Sequence, residues 1–264
     1  MTRDILITND DSISAKGIHC LAEIFRKYGD VTVVAPKFNQ SAMGMALTMD
    51  RPMHLEHIED IEPTDELGGV RYYTLDGTPT DCAKLGINMF IDEGRMPDIV
   101  VSGINHGSNA SAAEAYSGTL GAAKEAAIYG IPSAGFSICT HDPDPDFSIV
   151  EEYAGEIMAN FFDEPPVNGV FLNINFPDIS PEDCRGIKMA CRGRGRWIKE
   201  FERQNAPRGR EQIWMVGEFL NMAPGDDVLD DHILNGDNYI TIVPHKVDTT
   251  DYDELERLSK LWGY

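Results

Sequence analysis

The 264-residue sequence predicts an α/β fold: a mostly parallel sheet flanked by helices, followed by a C-terminal β-hairpin and helix extension suited to oligomerisation. Two observations predict it. Short buried apolar runs alternate with amphipathic stretches of helical length, the order in which crossover helices join parallel strands. After about residue 180 the pattern changes to strands and long hairpins bearing Arg and Gly. Residues 1–180 therefore read as the core, and residues 181–264 as a β-rich extension with a terminal strand and helix, all within one domain.

The run DILIT (4–8) reads as a buried strand. A helix follows over about 16–28, with Ile18, Leu21, Ala22, Phe25 and Tyr28 on one face and Gly29 as its stop. Residues 31–35 form the next strand and Pro36 opens a loop, so the chain begins β-α-β. Two strands are expected near 53–57 and 70–75, around an acidic loop at 59–66. Gly77-Thr78-Pro79-Thr80 is a turn, with Thr80 as cap of a helix carrying Ala83, Ile87, Phe90 and Ile91. DIVVS (98–102) is another buried strand, and a Gly/Asn/Ser-rich loop spans 103–116. A helix over about 118–129 turns Leu120, Ala123 and Ala127 inward, and 131–138 is the strand after it. The loop HDPDPD (141–146) is expected in solvent. Helix 147–162 carries the stripe Val150, Tyr153, Ala154, Ile157, Met158 and Phe161, and 170–175 is a further strand. Hairpins are expected over 185–222, a strand over 239–243, and a terminal helix over 250–262 with Leu255, Leu258 and Trp262 in register.

Lys and Arg number 22 against 44 Asp and Glu, a formal charge of −22. Such a chain repels DNA backbones and anionic lipid, which argues against DNA or a membrane as partner. It also repels a phosphorylated substrate, so a phosphate site here needs a bound cation or a helix N-terminus. The five cysteines (Cys20, Cys82, Cys139, Cys184, Cys191) are odd in number and lack CxxC spacing. They read as reduced thiols of a cytoplasmic protein. The apolar run after Met1-Thr2-Arg3-Asp4 ends within a few residues at Asn9-Asp10-Asp11, which is no secretory leader, and no run is long enough to span a bilayer.

In open α/β sheets ligands bind beyond the C-terminal ends of the strands. The first strand ends in Asn9-Asp10-Asp11, the second leads to Asn39-Gln40-Ser41, and DIVVS leads to Gly103-Ile104-Asn105. Asp10, Asp11, Ser41 and Asn105 together offer two carboxylates, a hydroxyl and a carboxamide. Such hard oxygen donors suit Mg²⁺, Mn²⁺ or Ca²⁺ better than Zn²⁺. Each residue alone also reads as a cap or a polar turn. Two adjacent carboxylates after a buried strand, however, repel each other unless a cation lies beside them. Tyr116-Ser117-Gly118-Thr119 opens a helix; its free N–H groups and two hydroxyls make either an anion pocket or an ordinary N-cap. His106 is a candidate acid or base or a surface residue, and the Arg192–Arg196 patch reads as a mobile hairpin or oligomer contact.

No GxxxxGK[ST], strand-borne GxGxxG or GxSxG occurs. The blocks that do occur are ITNDD (7–11), VVAPKFNQSAMG (33–44), DGTPTDC (76–82), PDIVVSGINHGSN…YSGTLGAAKEA (97–126), PRGREQIW (207–214) and NGDNYITIVP (235–244). In this order the chain resembles the SurE family, the stationary-phase survival nucleotidases.

The resemblance implies a Rossmann-like fold and a metal-dependent phosphomonoesterase acting on nucleoside 5′- and 3′-monophosphates, with some members also trimming polyphosphate. It places one divalent ion per subunit (Mg²⁺ or Mn²⁺, with Ca²⁺ an occupant in crystals) on Asp10, Asp11, Ser41 and Asn105. It puts Asn9, Ser117 and Thr119 with Asp10 in the catalytic pocket, and implies a homodimer or homotetramer made by exchanging C-terminal segments. Two departures stand out. Ala42 occupies a position where the family usually has Gly, and ASAAEA (110–115) replaces a stretch that usually carries Gly, Asp and aliphatic residues. The alternative from another class is a non-catalytic nucleotide or metal sensor on the same fold. Within enzymes, an Asp nucleophile is the rival, although that chemistry wants Asp-x-Asp where this chain has Asn-Asp-Asp.

Overall fold

The computed structural model describes residues 3–140, 142, 144–223 and 225–264. The first half supplies β1 (Arg3–Thr8), α1 (Lys16–Phe25), β2 (Gly29–Pro36), β3 (Leu55–Ile61), β4 (Val70–Leu75), α2 (Pro79–Asp92) and β5 (Ile99–His106). Then come α3 (Gly118–Ile128), β6 (Ser133–Cys139), α4 (Ser148–Asp163) and β7 (Val170–Pro177). Short β8 (Ile187–Met189) leads into an arm of β9 (Arg196–Ile198), β10 (Phe201–Ala206), β11 (Arg210–Met215) and β12 (Glu218–Leu220). The chain closes with α5 (Asp230–Gly236), β13 (Ile240–Lys246) and α6 (Tyr252–Trp262).

Nine strands form one sheet in the order β3-β4-β2-β1-β5-β6-β7-β13-β8. From β4 to β7 all neighbours are parallel, while β3 and β13 run antiparallel to β4 and β7. The order reverses direction at β1, which has β2 on one side and β5 on the other. This switch point leaves a crevice at the C-terminal strand ends. Alternation along β1 explains the layers. Ile5 and Ile7 pack with α1 and α4 residues such as Leu21, Phe25, Val150 and Met158. Leu6 packs on the opposite face with Ile87 and Phe90 of α2 and Ala126 of α3. Each fully buried aliphatic side chain contributes about 1.5–3 kcal/mol, so this two-sided core fixes where the strand ends lie.

Several boundaries differ from the sequence expectation, each for a physical reason. α1 ends at Phe25, and Gly29 opens β2 instead of stopping the helix. Thr78, not Thr80, caps α2: its hydroxyl accepts the Asp81 N–H at 3.1 Å while the Asp81 carboxylate accepts the Thr78 N–H at 2.9 Å. Pro79 has no N–H to satisfy and fits the first helical position, which fixes the cap one residue earlier. Ile91 is exposed. β3 starts at Leu55 and runs to Ile61, taking in the first part of the expected acidic loop. The 103–116 segment is shorter as a loop than expected, because β5 continues to His106 and Ser111–Tyr116 forms a 3-10 turn. α5 was not expected at all. Asp142, Asp144 and Asp146 of the HDPDPD loop are exposed as expected, while His141 and Pro143 lie outside the described residues.

Candidate active site

Three loops meet at the switch point. The backbone carbonyl of Asp10, after β1, accepts the Gln40 N–H at 2.7 Å, which brings the loop after β2 beside it. The Asp11 carboxylate accepts the His106 N–H at 3.0 Å, which closes the end of β5 onto the same point. Thr119 of α3 donates its hydroxyl to Asp10 Oδ1 at 2.6 Å. A cavity of about 300 Å³ beside them is lined by Asp11, Lys16, Asn39, Ile104 and His106, among others.

Asp10 is 3% exposed. Burial, and then the neighbouring Asp11 charge, push its carboxyl from 3.8 up to about 6, against the Thr119 hydroxyl and backbone N–H that favour the ionised form. Burial also raises Asp11, opposed by the backbone N–H and imidazole of His106. Both groups therefore lack compensating positive charge. Asn9 is enclosed; its nitrogen donates to the Ser12 carbonyl at 2.8 Å, and its Oδ1 has no partner. The Asn105 nitrogen donates to the Gly107 carbonyl at 2.6 Å, which leaves its oxygen as the acceptor atom.

The expected residues are therefore largely brought together: Asn9, Asp10, Asp11, Asn105, Ser117 and Thr119 sit on adjoining strand ends and the α3 N-terminus. Ser41 lies on the adjoining loop, exposed, with its hydroxyl donating to Asn39 Oδ1 at 2.7 Å. Among the described residues no three His, Cys, Asp or Glu side chains are arranged to hold a metal ion, so a cation here would draw on neutral oxygens besides Asp10 and Asp11. Two under-compensated carboxylates, an unpartnered carboxamide oxygen and further oxygen donors fit a hard divalent ion.

Of the two readings of the α3 N-terminus, the structure shows the N-cap. Ser117 is an N-cap, its oxygen accepting the Leu120 N–H at 3.1 Å, and its own O–H stays available to donate. Thr119 commits its proton to Asp10. The anion that the positive end of α3 faces in this structure is thus the Asp10 carboxylate. Gly118 makes that approach possible: a Cβ there would lie 2.9 Å from Asp10 Cβ and 3.0 Å from its Oδ2.

Sequence reasoning missed the support beneath the site. Asn175 Oδ1 accepts the Asn109 N–H at 2.8 Å, Asn109 donates to Ser137 Oγ at 2.8 Å, and Asn173 donates to the Asn109 carbonyl at 2.9 Å. This buried network holds the loop after β5. Its signal was two Asn residues two apart in an otherwise apolar strand, NIN at 173–175. Ala42 explains the first departure: its φ of +62° lies in the left-handed region that favours glycine. Ala42→Gly is expected to stabilise the fold by about 0.5–1 kcal/mol, since relief of left-handed strain exceeds the added freedom of the unfolded chain. Urea denaturation checks this, and a lower midpoint at unchanged slope contradicts it.

The family model described as Survival protein SurE matches residues 5–199. The chain is 40% identical over 255 residues to the 5′-nucleotidase SurE of Flavobacterium psychrophilum, covering 97% of this chain and 96% of that protein. It is 35% identical over 258 residues to the protein of the same name from Caldanaerobacter subterraneus, covering 97% of this chain and 96% of that one. The crystal structure of the SurE protein from Aquifex aeolicus superposes with a TM-score of 0.79 at 30% identity, covering 97% of this chain and 98% of that one. The chain belongs to the SurE family.

Proposed function

We propose that this chain is a divalent-metal-dependent phosphomonoesterase that hydrolyses nucleoside 5′-monophosphates, and 3′-monophosphates with them, to nucleoside and phosphate. The observation that carries this is the meeting of the buried Asp10 carboxylate, the half-buried Asp11 beside it and a helix N-terminus at the sheet's switch point. Near-full-length similarity to proteins named 5′-nucleotidase SurE supports it.

Asp10, Asp11, Ser41 and Asn105 would hold the ion. When bound, Mg²⁺ or Mn²⁺ supplies positive charge against the phosphate and acidifies the attacking water. The chain's own groups do the rest. Thr119 fixes the orientation of Asp10 through its hydroxyl. The Ser117 O–H and the Gly118 N–H, at the opening of α3, are preorganised donors for phosphoryl oxygens, which gain negative charge in the transition state. Burial of Asp10 keeps bulk water from screening these interactions.

The test is phosphate release from 5′- and 3′-mononucleotides, short polyphosphate and sugar phosphates, with EDTA and then Mg²⁺ or Mn²⁺ added back. Turnover that vanishes with EDTA and returns with the ion is expected. Nucleotide binding without phosphate release would instead favour a sensor.

Assembly as a homodimer or homotetramer through C-terminal exchange belongs to the same proposal. α6 is amphipathic yet has no buried residue, with Leu255, Leu261 and Trp262 exposed. The β10–β11 hairpin exposes Phe201, Ile213, Trp214 and Met215. An open groove of about 680 Å³ between α4 and the β7, β8 and β13 edge, lined by Phe161, Leu172, Met189 and Ile242 among others, fits such side chains from a second copy. Truncation before α6 is expected to lower the mass seen by light scattering; an unchanged oligomer contradicts α6 exchange. Among the described residues no helix is long and apolar enough to cross a membrane, and all five cysteines are free. Both support a cytoplasmic location.

A further inference from the structure

A second pair of enclosed carboxylates lies outside the proposed site, at the start of α5. Asp230 is fully buried. It accepts three backbone N–H groups: Oδ1 takes Gly193 and its own neighbour Asp231, each at 2.8 Å, and Ser111 is shared between Oδ2 at 3.0 Å and Oδ1 at 3.2 Å. Burial raises its pKa against the pull of these three donors. Ser111 Oγ in turn accepts the Gly195 N–H at 2.8 Å. Further along the same 3-10 turn, Glu114 pairs with Arg192 at 3.3 Å, and the Tyr116 ring meets Trp197 edge-on with centroids 6.2 Å apart.

The turn Ser111–Tyr116 is thus fastened along its length to residues 192–197, the base of the arm. Tyr116 runs directly into Ser117 and the N-terminus of α3. Ser111 has φ +56°, a strained value for a residue with a side chain, and the bonds to Asp230 and Gly195 hold it there. A carboxylate buried this completely and bonded to two other segments is a clamp, and its removal frees the turn that leads into the phosphate donors.

We propose that Asp230 is a positioning residue for the phosphatase reaction, fixing the turn Ser111–Tyr116 to the arm base and thereby placing Ser117 and Thr119. This rests on reading Ser117 as part of the phosphate cradle and Thr119 as the residue that orients Asp10.

Asp230→Asn is the informative variant. With its oxygen at the Oδ1 position, Asn keeps the Gly193 and Asp231 N–H groups, while Ser111 keeps only its longer contact of 3.2 Å and meets an amide donor where Oδ2 accepted at 3.0 Å. The arm base stays attached and the turn is loosened. The inhibition constant of inorganic phosphate is expected to rise about fivefold to tenfold, and kcat/KM for a nucleoside monophosphate to fall about tenfold, the scale of displaced preorganised donors. A smaller folded fraction lowers apparent kcat but leaves the inhibition constant where it was, so a merely structural role does not mimic the result. An unchanged inhibition constant in folded Asp230→Asn overturns the proposal. If that variant does not fold, Ser111→Ala, which removes the acceptor for Gly195, is read in the same way: a raised constant supports the clamp and an unchanged one overturns it. Ser117→Gly, which removes the hydroxyl offered to phosphate while Gly remains an accepted N-cap, is measured in parallel and separates the two readings. No shift there sinks the cradle itself, whereas a shift there beside an unchanged Asp230→Asn sinks the clamp alone.

Discussion

An Asp10→Asn variant is expected to lose at least about 10²-fold in kcat while remaining folded. Asn is the same size as Asp, and its oxygen still accepts the Thr119 hydroxyl that meets Oδ1 at 2.6 Å. What disappears is one of the two charges that would hold the ion under the proposed function. Stability moves the other way. The ionised carboxyl is disfavoured by burial and by Asp11, so removing its charge relieves the metal-free protein at neutral pH. The variant should therefore melt no lower than the parent in EDTA, yet turn over far less in saturating Mg²⁺ or Mn²⁺. Thermal melts and steady-state kinetics on the same preparation test both halves. Near-full turnover in a metal-binding Asp10→Asn protein removes Asp10 from the centre of the reaction.

Divalent ions are expected to stabilise the protein strongly at pH 8 and weakly at pH 5. The sign follows from Asp10. Its folded pKa of about 6 lies above the ordinary 3.8, so the folded state binds a proton more tightly than the unfolded chain. This group's contribution to metal-free stability is greatest below about pH 4, falls as pH rises through 6, and is flat above, a loss of about 3 kcal/mol at 1.36 kcal/mol per pKa unit. Asp11, raised for the same reason, adds in the same direction. A cation binds the ionised pair and reverses this loss, by about 2.7 kcal/mol when present at a hundred times its dissociation constant. Melting with EDTA and with excess Mg²⁺ or Mn²⁺ at both pH values reads the difference directly. Equal shifts at pH 5 and pH 8 exclude Asp10 and Asp11 as the binding pair.

The β-α-β opening and the crevice at its end were legible because local patterns suffice there. DILIT and DIVVS are apolar enough to be central strands, and polar residues directly after a central strand can only lie at its end. Caps were legible only in part: Thr-Pro-Thr-Asp at 78–81 holds a reciprocal cap, but choosing Thr78 over Thr80 required weighing Pro79 at the first helical position. β3 was harder to place, since an exposed antiparallel edge strand shows no alternation to read. Least legible were residues whose partners lie far along the chain. Asp230 bonds Ser111 across 119 positions and Gly193 across 37, and nothing in its neighbours' sequence announces either. Thr119 was expected to hold phosphate; its bond to Asp10 spans 109 positions and depends on α3 being laid against β1.

The arm leaves the sheet after β8 and the chain re-enters at β13, beside the strand it left. Its two stems are already sealed: the Cys191 N–H donates to the Val228 carbonyl at 2.7 Å, and the Asp230 N–H to the Cys191 carbonyl at 2.9 Å. The entropy of ring closure is thus met by the stem and not by the excursion beyond it. Doubling the length of a closed flexible loop adds only about 0.6 kcal/mol. The segment between the stems can therefore grow or shrink with little thermodynamic penalty, while the nine-stranded sheet and its switch point stay as they are.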